Sequence, residues 1–167
     1  MYTCLLVSIA LLPVGLFAQP GAAWWQPVSS RVLPESAAAQ AVTQATYFQL
    51  DLTALQQWLD QAPQEHASQR LSVQLPSPQG SMMRFHLTRT PVLAPGLAAR
   101  YPHIQTFAGQ GLDDPTMTLR CDLTDYGFHA MVRGPQGTYF IEPVNQQTTT
   151  FYRVFEMKHV VADDNVV

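Results

Sequence analysis

Residues 117–132, MTLRCDLTDYGFHAMV, decide the fold. Met117, Leu119, Cys121 and Leu123 alternate with Thr118, Arg120 and Asp122, so one face is apolar and the other polar. That period of two is the signature of a half-buried strand, whereas a helix would repeat its apolar residues every three to four positions. Asp125, Tyr126 and Gly127 supply turn chemistry, and Phe128, Ala130 and Val132 resume the alternation. The stretch therefore predicts a β-hairpin.

Working outward, Gly134-Pro135-Gln136-Gly137 is a second turn and leads into a strand from Thr138 to Glu142. A last strand is expected from about Thr149 to Lys158, with Phe151, Arg153 and Phe155 opposite Tyr152, Val154 and Glu156. On the other side, residues 94–115, APGLAARYPHIQTFAGQGLDDP, read as an ordered connector. Leu97 to Tyr101 are expected to form one helical turn, and Gly109 to Pro115 a loop. In that loop Gly109 and Gly111 permit positive φ, and Asp113 or Asp114 can bond its own backbone.

Further upstream, Leu71, Val73 and Leu75 pair by pattern with Met83, Phe85 and Leu87 across the turn residues Pro76 to Gly80. Tyr47 to Leu52 carries another strand pattern. It passes into a short helix whose stripe is Leu52, Leu55, Trp58 and Leu59, with Thr53 as the expected N-cap, Gln56 completing a capping box and Pro63 preventing continuation. The fold class is α+β, mainly β: one antiparallel sheet, or two curved ones, built of hairpins with one or two short helices on a face.

Size and charge narrow the possibilities. A chain of 167 residues suffices for one domain with a substantial core. Nine Lys and Arg against twelve Asp and Glu, with no basic cluster, exclude a phosphate-tracking surface, so nucleic acid is not an expected partner. From Tyr2 to Phe17 there is no charge and an apolar run broken by Pro13 and Gly15. It is too short to span a bilayer and matches a secretory h-region, although no Lys or Arg precedes Arg31. The expected organisation is a signal peptide at 1–18 (cleavage as late as 23), a leader at 19–44 in which Trp24 and Trp25 dock on the domain, a β-rich domain at 45–159, and a tail at 160–167. The alternative is a buried N-terminal segment. Export places the mature domain outside the cytoplasm, secreted or periplasmic, with no stable membrane span after signal removal.

Cys4 would leave with the signal, and Cys121 then stands alone in the mature chain. Its position between Leu119 and Leu123 predicts a buried core thiol in preference to an exposed thiolate able to ligate a partner's zinc. The five histidines, His66, His86, His103, His129 and His159, include no pair at i, i+4, so a zinc site of the H-E-x-x-H kind is not expected. Gly109-Gln110-Gly111 opens like a dinucleotide fingerprint, but Asp114 stands in place of the third glycine. No G-x-S-x-G elbow occurs, and Asp113 and Asp114 read as turn residues in preference to an acid–base pair. No residue is assigned a catalytic, cofactor-binding or metal-binding role.

Four short pieces, L-A-x-x-Y-P at Leu97 to Pro102, G-Q-G-x-D-D-P at Gly109 to Pro115, D-L-T-x-x-G-F-H-A at Asp122 to Ala130 and G-T-Y-x-I-x-P at Gly137 to Pro143, carry a resemblance. Residues 45 to 158 resemble the N-terminal propeptide region of secreted bacterial zinc metalloproteases of the reprolysin-like metzincin type. The resemblance implies a non-catalytic domain that assists folding and covers the active-site cleft of a metalloprotease catalytic domain, in cis or in trans. Zinc would belong to that partner, with no cofactor in this chain. The sequence departs from the family pattern where it reaches Val167 without H-E-x-x-H-x-x-G-x-x-H, so a fragment of a protease precursor is expected. Cys121 also stands where a bulky apolar residue is expected. The competing expectation is a cell-envelope binding or structural module that uses Tyr139, Phe140, Phe151 and Tyr152 as a ligand surface.

Overall fold

The computed structural model describes residues 22–34 and 42–161. The expected signal peptide, and the expected tail apart from Val160 and Val161, lie outside the described residues. In chain order the elements are β1 (Trp25–Val28), β2 (Thr46–Leu50), α1 (Leu52–Leu59), β3 (Leu71–Pro76), β4 (Met82–Arg89), α2 (Pro95–Arg100), β5 (Gln105–Gly111), β6 (Thr118–Thr124), β7 (Gly127–Gly134), β8 (Gly137–Asn145) and β9 (Thr148–Glu156). They build one antiparallel sheet of nine strands in the order β1-β2-β9-β8-β7-β6-β5-β4-β3. Of the two architectures expected, the single sheet is the one adopted.

The hairpin at 117–132 lies near the middle of that sheet, and the alternation read from it sets the inner face. Phe107, Cys121, Ala130, Ile141 and Val154 are successive register partners across β5 to β9, and all five are buried. Tyr152 and Phe48 extend the inner face into β2. One apolar belt therefore runs around the inside of a sheet that must curl to cover it. The curl is visible in Trp25 on β1, whose ring lies edge-on to Phe48, Phe128 and Tyr152 at centroid distances of 6.3, 6.1 and 5.3 Å. The Tyr152 hydroxyl accepts the Phe128 amide at 3.0 Å. A Cβ at Gly127 would fall 2.8 Å from that hydroxyl, and the turn holds Gly127 at φ +102°, so both contact and conformation demand glycine.

A meander puts its alternate turns at opposite ends. The β4–β5, β6–β7 and β8–β9 connections gather at one end; the β3–β4, β5–β6 and β7–β8 turns gather at the other. Helix α1 crosses the first end and closes it. Leu55 and Leu59 are fully buried, Trp58 Nε1 donates to the Ser72 carbonyl on edge strand β3 at 2.9 Å, and the Trp58 ring lies 6.0 Å from that of Trp24 beside β1. The helical stripe read from the sequence thus faces the core and ties the two edges of the sheet together.

Three local expectations need correction. Thr53 is not the N-cap: Asp51 occupies that position and its Oδ1 accepts the Ala54 amide at 3.0 Å, because a carboxylate one residue before the helix satisfies the free N–H equally well. Gly109 and Gly111 lie inside β5, without positive φ, instead of in a loop. They are small because neighbours crowd them: a Cβ on Gly109 would come 2.7 Å from the His86 carbonyl, and one on Gly111 would come 2.2 Å from that of Asp114. Part of the expected leader is strand, since Trp25 to Val28 pair with Leu50 to Tyr47 as β1.

Candidate functional site: an apolar connector at the closed end

The β4–β5 connector, residues 90–104, is anchored at its base and unpacked at its tip. The Thr90 amide donates to the Thr106 carbonyl at 2.9 Å, the Arg89 amide to the Pro63 carbonyl at 2.7 Å, and Gln105 Nε2 to Asp60 Oδ1 at 2.8 Å. Between these anchors Pro95 starts α2, where its missing N–H costs nothing, and the Tyr101 amide closes the last turn on the Leu97 carbonyl at 3.0 Å. Yet α2 buries no residue. Val92, Leu97 and Tyr101 are 68%, 42% and 40% exposed.

A fourth apolar side chain joins them from the β6–β7 turn. His103 Nε2 lies 3.4 Å from Asp125 Oδ2, holding the connector beside the turn that carries Tyr126, which is 60% exposed. The Tyr101 ring is edge-on to His103 at 6.0 Å and beneath the Arg100 guanidinium, also at 6.0 Å. The result is an apolar projection anchored at its base, with no residue of α2 in the buried core. Scattered exposed apolar residues are ordinary; three on one anchored connector, with Tyr126 on the adjoining turn, make this the candidate interaction surface.

The residues weighed for chemistry are dispersed. Cys121 is 5% exposed, and burial, assisted by the Asp122 charge, pushes its thiol well above the usual range; it is a core residue. Asp113 pairs with Arg84, whose hydrogen bond holds the carboxyl below its usual range. Asp114 Oδ1 accepts the Thr116 amide at 2.9 Å and serves the turn. The five histidines are not brought together, and among the described residues no group of three His, Cys, Asp or Glu side chains could hold a metal ion. Of the four aromatics weighed as a ligand surface, Tyr139 and Tyr152 are buried inside, while Phe140 and Phe151 lie half-buried on the outer face.

That outer face carries a polar row which sequence spacing did not disclose. Asp122, His129, Glu142 and Arg153 lie side by side on β6 to β9. His129 Nδ1 is 3.5 Å from Asp122 Oδ1, and Arg153 Nε donates to Glu142 Oε1 at 2.9 Å. The Asp122 hydrogen bond, reinforced by both carboxylate charges, raises the His129 pKa. Alternate residues on each strand were legible as polar, but their alignment across strands depends on register. Among the described residues, no helix is long and apolar enough to cross a membrane. Compared with protein-family models, curated proteins and solved structures, the chain gives no match.

Proposed function

We propose that this domain is the non-catalytic, propeptide-like part of a secreted zinc metalloprotease precursor, and that it docks on the metalloprotease catalytic domain through the β4–β5 connector. The observation that supports this reading is the placement of L-A-x-x-Y-P. Leu97 and Tyr101, the apolar residues of that piece, are 42% and 40% exposed on an anchored projection, next to the exposed Val92 of the same connector and beside the turn that carries Tyr126. A motif that does not serve the core has a surface role to serve. Its shape, a short apolar turn flanked by Pro91 and Pro102, suits insertion into or across a cleft, with the flanking prolines limiting the entropy lost on docking. The remaining pieces, on β5–β6, β6–β7 and β8, belong to the frame that holds it.

In this reading zinc stays with the partner and the domain needs no cofactor of its own. Hydrogen exchange of the chain alone and mixed with a secreted bacterial reprolysin-like catalytic domain tests the surface. The expected outcome is added protection of amides 92–104 and 125–127. Protection confined to the outer-face aromatics Phe140 and Phe151, or none, would favour the envelope-module alternative and overturn the docking assignment.

A further inference from the structure

The end of the curled sheet opposite α1 is open, and a cavity of about 520 Å³ lies in its mouth. This volume falls within the roughly 300–1,000 Å³ of small-molecule sites, and barrel mouths are a recurrent location for them. Its walls come from the β3–β4, β5–β6 and β7–β8 turns and the end of β9. Met83, Met117 and Tyr139 supply an apolar lining, while Asp114, Glu156 and Lys158 supply charge.

Each part is built from the register. Tyr139 and Glu156 are direct partners across β8 and β9, so both side chains belong to the inner face at this end. Gly134 leaves room for Met117, whose Sδ would lie 2.9 Å from a Cβ added there. Methionines are adaptable and polarisable, suited to lining a space that is filled by different shapes. The Tyr139 hydroxyl is buried and has no hydrogen-bond partner among the described residues, although the residue is only 7% exposed. An orphan phenol beside an open cavity is a group awaiting a partner.

Charge decides the class of partner. Glu156 Oε2 lies 2.6 Å from Lys158 Nζ, whose hydrogen bond holds the Glu156 carboxyl below its usual range; Asp114 is held low by its Thr116 hydrogen bonds. Two carboxylates and one ammonium line the mouth, so its charged lining is net acidic; Gln79 Nε2 also donates to Glu156 Oε1 at 3.3 Å. We propose that this mouth binds a primary amine carried on a short aliphatic stem, with the stem against Met83, Met117 and the Tyr139 ring and the ammonium at Glu156 and Asp114, donating also to the Tyr139 hydroxyl. Free alkylamines and lysine side chains share that chemistry. The site is separate from the connector surface and stands whether or not the protease reading does.

The test is an NMR titration of the full chain, observing methionine methyl groups, with n-hexylamine, n-hexanol and n-hexanoate. Hexylamine is expected to shift Met83 and Met117 saturably and to bind about tenfold more tightly than hexanoate, about 1.4 kcal/mol. Glu156→Gln should erase that preference. Tyr139→Phe, which keeps the shape, should weaken amine binding while raising the unfolding midpoint of the free protein, because the orphan hydroxyl is gone. N-acetyl-lysine methylamide in the same titration separates the sources: binding assigns the site to polypeptide lysines, and its absence beside hexylamine binding assigns it to free amines. Equal binding of amine and hexanoate, no saturable methionine shift, or unchanged selectivity in Glu156→Gln would overturn the proposal.

Discussion

At the scale of single residues, Cys121 shows how burial decides chemistry. A thiol enclosed in the belt between Phe107 and Ala130 is kept protonated, and the protonated form is a poor nucleophile and a poor zinc ligand. In native protein it should react with a soluble thiol reagent at least ~100-fold more slowly than in urea-unfolded protein, because reaction requires opening of the sheet. Reaction at the same rate in both states would place the thiol on the surface. Gly111 and Gly96 form a matched pair of opposite sign. Gly111→Ala pushes a methyl group into the Asp114 carbonyl and should cost roughly 1–3 kcal/mol, whereas Gly96→Ala meets nothing within 4 Å in α2 and should be neutral or stabilising by up to about 1 kcal/mol, the scale of helix propensity. Urea denaturation midpoints of the two variants measure this directly.

His129 gives a pH dependence with a definite sign. Its folded pKa lies above the unfolded value of 6.5, raised by the hydrogen bond to Asp122, by the Asp122 and Glu142 charges and by its bond to the Gly127 backbone, against the opposing effect of burial. The stabilisation from this pair is therefore complete below pH 6.5 and is lost as pH rises through the folded pKa. Between about pH 5.5 and about pH 8.5 the wild-type unfolding midpoint should fall relative to that of His129→Gln, which lacks the titration. A constant difference between the two proteins over that range would remove the pair from the stability of the fold.

At the scale of elements, the strands were the most legible part of the sequence, and the reason is physical. A sheet with one buried face writes a period of two into every strand, so Leu119, Cys121 and Leu123 or Tyr152 and Val154 announce their face without knowledge of their neighbours. What the strand pattern does not contain is the distance from one strand to a distant one. The crowding that makes Gly111 a strand glycine comes from the Asp114 carbonyl and the Met117 side chain folding back on it, and locally the residue looks like any turn glycine. The Asp51 cap was missed for a related reason: both Asp51 and Thr53 are good caps, and the choice depends on where β2 releases the chain. In β1, four residues recruit Trp25 to the core, and Trp25→Ala should destabilise by about 3–5 kcal/mol in denaturant unfolding, the usual cost of emptying a large aromatic site.

The connector is legible in part. Its Pro and Gly punctuation marked an ordered segment and α2 lies where one turn was expected, but the exposure of Leu97 and Tyr101 depends on what packs over α2, and no element among the described residues buries it. Leu97→Asp with Tyr101→Ala removes exposed apolar surface and only the surface contacts of Tyr101 with His103 and Arg100, so stability should change by less than about 1 kcal/mol. Loss of the fold in that double variant would show the projection to be part of the core.

At the scale of the whole molecule, a meander of seven strands, extended by β2 and β1 on the far side, curls until α1 ties its edges together at one end and leaves a mouth at the other. Neither end was legible as a surface. Closure requires Trp58 to meet Ser72 and Trp24, and the mouth requires three turns to converge, which are properties of the curl. The two proposed surfaces accordingly sit at opposite ends and can be lost independently.

The most direct measurement of the central claim is an inhibition titration. The purified chain is added in increasing molar ratio to secreted bacterial reprolysin-like catalytic domains, with hydrolysis of a quenched peptide as the signal. Saturable inhibition of at least one such domain is expected, unaffected by Glu156→Gln and weakened at least about tenfold by Leu97→Asp with Tyr101→Ala, a loss of about 1.4 kcal/mol. Full activity of every catalytic domain in large molar excess of the chain, or inhibition indifferent to the connector substitutions, would contradict it.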